Sequence, residues 1–206
     1  MKKLNIAIIG LGNIGSHLFN YLNDNKKFLT EKNNCIPIVK YVSAKNKKRK
    51  RKIKIKKNQW LGNYLDSTKL KDVDLIIELI GGAEGPAKKL VFQALKNKKH
   101  VVTANKALIA KYGDQLAKIA EKNRVNLEFE ASVCGGVPII RSLKEGLIAN
   151  KISKIYGIFN GTSNYILSTM DKQNKSFNEV LSDATKLGYA ETNPTADLNG
   201  DDVSSK

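Results

Sequence analysis

LNIAIIGLGNIG, residues 4–15, is the stretch on which the reading of this chain turns. Six mostly apolar residues run into Gly10, Gly12 and Gly15, spaced G-x-G-x-x-G. A buried parallel strand that turns sharply into a helix has this form. Gly10 permits the tight turn. Gly12 has no side chain to hold a pyrophosphate away from the backbone. Gly15 lets the helix lie close to the strand. The first free N–H groups of that helix then face phosphate oxygens. The required context is present: a strand precedes the glycines, and Ile14, Leu18, Phe19 and Leu22 follow at helical spacing. The stretch therefore predicts a dinucleotide-binding turn. The alternative is a glycine-rich turn in some other α/β protein.

Working outward, the first helix is expected to end near Asn25, and a polar connection leads to a second strand, Cys35–Ser43 (CIPIVKYVS). Val73–Ile80 (VDLIIELI) reads as a further buried strand closed by Gly81 and Gly82. Pro86–Lys96 reads as a helix, His100–Ala104 as a strand, Ala107–Lys122 as a helix and Asn126–Glu130 as a short strand. Strands alternating with helices predict an α/β fold, a doubly wound parallel sheet of Rossmann type. Ligands bind at the carboxyl ends of such strands, so Gly10–Gly15, Ile80–Ala83 and Thr103–Lys106 share one rim. The character changes near Cys134, where Gly135, Gly136 and Pro138 punctuate the chain. Pro138 suits the first turn of a helix over Ile139–Ile148. Ile152–Phe159 reads as a strand and Thr162–Asp171 as a helix. Ser176 and Glu179 form a capping box for a helix that ends at Gly188. Two domains are expected: residues 1–134 for the dinucleotide and 135–206, a partial α+β domain, for the substrate.

A hydrophobic content of 41% over 206 residues supports a packed core. No apolar run approaches the ~18 residues of a membrane span, and Leu4–Ile9 is too short for a secretory signal core. The expected location is the cytoplasm, with no membrane partner. Cys35 and Cys134 have no framework or metal spacing and read as reduced thiols. The formal net charge of +17 is concentrated in one place: ten of the thirteen residues from Lys45 to Lys57 are Lys or Arg. No aromatic residue interleaves the run to stack on bases, so a solvated loop is favoured over nucleic-acid binding. The run also follows the second strand, where a dinucleotide fold meets the adenine ribose. An NAD-specific fold usually carries Asp or Glu there. Here the strand runs into Ser43, Ala44 and Lys45, which favours the 2′-phosphate of NADP, with NAD as the alternative cofactor.

Few residues offer chemistry. Lys106, in TANKAL, follows a strand at a helix start, where a cation opposes the helix dipole. On the cofactor rim it could hold a substrate oxygen. The last segment is acidic on a basic background, with Glu191, Asp197, Asp201 and Asp202. A helix begun near Gly200 would put Asp202 and Lys206 four apart on one face. A lysine so held can deliver a proton to a carbonyl oxygen being reduced; an ordinary surface ion pair is the alternative. His17 and His100 read as a helix-surface and a strand-start residue.

Taken together, GLGNIG, ELIGG, VVTANKALIA, EASVCGGVPII, GIFNGTSNYIL and GYAETNPTADLNGDDVSSK resemble, in this order, the motifs of the homoserine dehydrogenases. The resemblance covers essentially the whole chain. It implies NAD(P)H-dependent reduction of L-aspartate 4-semialdehyde to L-homoserine, in threonine, methionine and isoleucine synthesis. By that resemblance Gly10, Gly12, Asn13, Ile14 and Gly15 are the cofactor loop, and Thr103 and Lys106 lie near the nicotinamide and substrate. Glu191 and Asp202 hold the amino-acid substrate, and Lys206 is the proton donor. Glu130, Val133, Gly135 and Val137 form a site for a monovalent cation such as sodium, largely through backbone carbonyls. A homodimer is implied for the full-length enzyme. Family members continue well beyond Lys206, so the chain resembles a fragment of a monofunctional enzyme with its second domain cut short. Another Rossmann oxidoreductase of amino or keto acids and a basic nucleic-acid-binding protein are the rival readings.

Overall fold

The computed structural model describes residues 1–190 and 194–205. In chain order its first part holds β1 (Lys2–Ile9), α1 (Asn13–Asp24), α2 (Lys26–Asn33), β2 (Cys35–Ser43), β3 (Leu75–Glu78), α3 (Pro86–Lys96), β4 (His100–Thr103), α4 (Lys106–Asn123) and β5 (Leu127–Glu128). The five strands form one parallel sheet in the order β2-β1-β3-β4-β5. Strand pleating sends successive side chains to opposite faces, and both faces of β1 are covered. Ile6 and Ile8 pack with Leu11, Phe19, Val39, Val42 and Ile77. Ala7 and Ile9 pack with Ile76 and with Leu90, Val91, Leu108 and Leu116 of α3 and α4. This is why the strands read as continuous apolar runs rather than as alternations. The chain leaves β1 toward β2 and returns past it to β3, so the order reverses beside β1, the place where such sheets bind ligands. Ile9, Ser43, Glu78 and Thr103 stand in one register row at the carboxyl ends.

The connection expected to be irregular before Cys35 contains α2, KKFLTEKN, which buries no residue. It has no apolar stripe to announce it, and it stops at Asn34, which is left-handed at φ 48°. The basic run is also more ordered than a solvated loop. Arg51, Ile53 and Ile55 are partly buried while Lys52, Lys54 and Lys56 are exposed, and both isoleucines pack on the β1–β2 face. Trp60 then bridges to Val42.

The chain divides into two compact units, Met1–Gly146 and Leu147–Lys206. Residues 135–146 belong to the first because both carboxylate oxygens of Glu130 reach forward, accepting from the N–H groups of Ile140 (3.1 Å) and Arg141 (2.8 Å). Two expectations are corrected here. The helix over Ile139–Ile148 is only α5 (Ile139–Arg141), followed by a wider π-type turn, Ser142–Gly146; Gly146 and the exposed residues after Lys144 give it no buried face. The strand Ile152–Phe159 does not form: a strand needs an edge to bond to, and among the described residues none pairs with it.

The second unit holds α6 (Gly161–Gln173), α7 (Phe177–Lys186), α8 (Thr195–Leu198) and α9 (Asp201–Ser204). Its core is Ile166, Val180, Ala184 and Ala190, with Tyr165 stacked on Tyr189 at 4.6 Å. The capping box that opens α7 is present: Glu179 Oε2 accepts from the Ser176 N–H (2.9 Å) and from its hydroxyl (2.6 Å). No helix among the described residues is long and apolar enough to cross a membrane.

Candidate functional site

The three glycines of the first loop occupy three different environments. Gly10 lies at φ +111°, and a Cβ there would stand 2.3 Å from the Leu79 carbonyl oxygen. A Cβ on Gly15 would stand 2.0 Å from the Gly10 carbonyl oxygen. Both positions therefore demand glycine for packing, the first for its backbone conformation as well. Gly12 differs: a Cβ there would meet nothing within 4 Å. The space above it is open, at the N-cap of a twelve-residue helix with no capping side chain and no acid in its first turn. The N–H groups of that turn have no intrahelical acceptor. Backbone donors, the positive end of a helix dipole and room for a ligand coincide, which suits an anionic pyrophosphate.

A cleft of about 460 Å³ opens at this point, and Gly12, Asn13, Ile14, Gly15, Arg49, Glu78, Ile80 and Asn105 are among its lining residues. The basic run reaches it because Arg51 is turned inward. Its Nε donates to the Leu11 carbonyl (2.9 Å), Nη1 to Arg49 (2.9 Å) and Nη2 to Asn46 (2.7 Å). Its guanidinium lies over the Trp60 ring, 5.8 Å from the centroid. One arginine thus fastens the loop after β2 to the glycine loop and leaves Arg49 at the cleft wall. No acid stands among these residues on the β2 side; the acidic residue at the cleft wall is Glu78, buried at the end of β3.

On the other side of β1, Thr103 is fully buried and donates to Glu78 Oε2 (2.5 Å). Asn105 caps α4, its Oδ1 accepting from the Leu108 N–H (3.1 Å) while its Nδ2 donates to the Gly82 carbonyl (2.7 Å). Lys106 is the first residue of α4, one position earlier than expected, half-buried and engaged. Gly10, Gly12, Asn13, Ile14, Gly15, Thr103 and Lys106 are therefore all placed at the carboxyl ends of β1 and β4. Sequence reasoning missed Glu78, Asn105 and Arg51. The first had a visible signal, an acid between apolar residues in the stretch LIIELI.

Glu130, Val133, Gly135 and Val137 lie on one loop after β5, in the first unit. Val133 is buried and Val137 exposed, and the Val137 N–H closes a turn onto the Cys134 carbonyl (2.8 Å). Among the described residues no three His, Cys, Asp or Glu side chains are placed to hold a metal, so a cation here would depend on backbone carbonyls. In the second unit Asp202 sits in the first turn of α9. The buried Asn160 caps α6 and donates its Nδ2 to both Asp197 (2.8 Å) and Asp202 (2.9 Å). Asn160, a further residue that sequence reasoning missed, gathers two carboxylates. Glu191 and Lys206 lie outside the described residues.

The family model described as the homoserine dehydrogenase NAD-binding domain matches residues 10–130. The model described as homoserine dehydrogenase matches residues 138–206. A homoserine dehydrogenase of Bacillus subtilis is 41% identical over all 206 residues, which cover 47% of it. The crystal structure of a homoserine dehydrogenase from Thiobacillus denitrificans superposes with a TM-score of 0.85 at 39% identity, covering 100% of this chain and 47% of that one. A hyperthermophilic archaeal homoserine dehydrogenase, solved in complex with NADPH, shares the fold at a TM-score of 0.80 and 22% identity, covering 99% of this chain and 67% of that one. The chain spans about half the length of the curated relatives it matches. Matched from end to end by these relatives, and by two family models laid one after the other, the chain belongs to the homoserine dehydrogenase family.

Proposed function

We propose that this chain carries the nicotinamide-binding half, and part of the substrate site, of an enzyme that reduces L-aspartate 4-semialdehyde to L-homoserine. The observation that carries the reading is the open space over Gly12 at an uncapped helix N-terminus, between two glycines that packing demands. When bound there, a reduced nicotinamide supplies the hydride. Lys106, at the rim, stabilises the substrate oxygen as charge develops on it. Asp202 orients the amino-acid substrate together with Glu191, and Lys206 gives the proton; the last two roles rest on the motif GYAETNPTADLNGDDVSSK. NADPH is the preferred cofactor: the strand that meets the adenine ribose ends without an acid, and Arg51 holds Arg49 at that side of the cleft. A monovalent cation held by the 130–137 loop, a homodimer of the longer chain and a cytoplasmic setting belong to the same reading.

The test is cofactor binding followed by nicotinamide fluorescence. NADPH should bind more tightly than NADH, and added salt should narrow the gap because exposed charges are screened. Gly12→Val should weaken NADPH binding by about tenfold or more, since it fills the pyrophosphate space, with the thermal midpoint unchanged. Tighter NADH binding at low salt defeats the NADPH preference, and binding of neither cofactor defeats the reading. In a chain extended to the length of the relatives, Lys106→Ala should lower kcat on aspartate semialdehyde by roughly 10²-fold.

A further inference from the structure

Glu78 is an acid at the end of a strand that is otherwise apolar, and it has no exposed surface. Burying a carboxylate is costly unless its oxygens are satisfied. Here both are. Oε1 accepts from the N–H groups of Ile80 (2.7 Å) and Gly81 (3.1 Å). Oε2 accepts from the Thr103 hydroxyl (2.5 Å). That hydroxyl in turn accepts from the Asn105 N–H (3.0 Å), so its own hydrogen is directed to Glu78. All three partners of Glu78 are donors, so each carboxylate oxygen is satisfied. The side chain ties the loop after β3 to the end of β4, and Asn105 ties that end back to Gly82.

The position matters as much as the bonding. With a pyrophosphate on the glycine loop, the adenine ribose meets the end of β2. The sheet order is β2-β1-β3-β4-β5, so the other half of the dinucleotide extends over the ends of β3 and β4. Glu78 lines the cleft on that side. An oxidised nicotinamide ring carries a positive charge and a reduced one is neutral. We propose that Glu78 is a positioning residue of the nicotinamide half of the cleft: its carboxylate locks the β3 and β4 loops into one rim and favours the oxidised ring over the reduced one. A ring bound there would gain positive charge on giving up hydride, and the carboxylate at the end of β3 would favour that change. The proposal rests on the dinucleotide reading of the cleft.

The experiment measures Kd for NADP⁺ and for NADPH on the 206-residue chain. Glu78→Gln keeps the shape and removes the charge. It should raise the ratio Kd(NADP⁺)/Kd(NADPH) about tenfold, the order expected on removing one unit charge near a charged ring in a partly desolvated cleft. Thr103→Val leaves the carboxyl group in place, with both N–H donors still on Oε1, and cuts the tie. It should weaken both forms together and leave the ratio within about twofold, since the field of the anion remains. A folded Glu78→Gln protein with an unchanged ratio overturns the proposal. Should Glu78→Gln fail to fold, Thr103→Val decides, and unchanged affinity for both forms overturns it. A wild-type chain that binds neither form defeats the reading of the cleft itself, and the proposal with it.

Discussion

The two units of this chain differ in how far they close upon themselves. In Met1–Gly146 every strand finds a parallel neighbour, and both faces of the sheet are covered by helices or by the folded basic run. In Leu147–Lys206 the core is four residues, while Ile148, Ile155, Tyr156, Ile158, Leu167 and Tyr189 are exposed. The difference lies in where partners come from. The first unit draws its sheet from elements that follow one another at short intervals. In the second, the segment 152–159 has the composition of a strand and no edge among the described residues to join. Apolar residues alone do not make a strand; its N–H and C=O groups need partners.

The largest effect should come from breaking the closure of the first unit at its tightest point. Gly10→Val forces a β-branched residue to φ +111° and its Cβ onto the Leu79 carbonyl. Strain and overpacking together should cost about 5 kcal/mol. Trp60, the only tryptophan, lies in this unit, so its fluorescence in a denaturant titration reads the loss. A folded variant of near-normal stability would mean that the loop is less constrained than the packing indicates.

A matched pair of core truncations sharpens the contrast. Leu90 and Ile166 are both buried, the first in a large cluster and the second in a small one. Leu90→Ala should cost about 4 kcal/mol and Ile166→Ala about 2 kcal/mol, because a small cluster collapses more readily around a cavity. Amide hydrogen exchange of α3 and α6 measures the two separately. A larger cost at Ile166 would break the comparison.

A smaller effect is expected at the cap of α7. Ser176→Ala removes the hydroxyl bonded to Glu179 and should cost about 1 kcal/mol, seen as faster exchange confined to α7. Ser176 also holds the Glu179 carboxyl below its usual range through hydrogen bonds from its hydroxyl and its N–H, so this contribution should fade as acid protonates Glu179.

The smallest effect concerns Glu84, just before α3. Lys111 above all, then Tyr112 and Lys88, bring its pKa from 4.5 down to about 2. A depressed carboxyl pKa contributes stability that is present in full above pH 4.5 and is lost as pH falls toward 2. Glu84 is solvent-exposed, so salt should mute the effect. Glu84→Gln should flatten the stability–pH curve of the first unit between those values. A curve that coincides with the wild type would show that the cluster contributes nothing.

The sequence by itself determined the layered α/β plan, because its signals are local. Apolar runs of strand length, the spacing of Gly10, Gly12 and Gly15, and the capping box at Ser176 each dictate a conformation within a few residues. β2 and α3 fall on the residues expected from the sequence. The tertiary structure decided what depends on residues distant in the chain. Whether 152–159 becomes a strand depends on a neighbouring edge, which composition does not specify. Whether a run of lysines and arginines is a solvated loop or a wall of the cleft depended on one side chain, Arg51, finding the carbonyl of Leu11 forty residues earlier. Glu78 was legible as an oddity in an apolar strand. Its distant partner was not: Ile80 and Gly81 follow Glu78 directly, but the Thr103 hydroxyl is 25 residues on, at the end of β4, and reaches Glu78 only when the two strands pair.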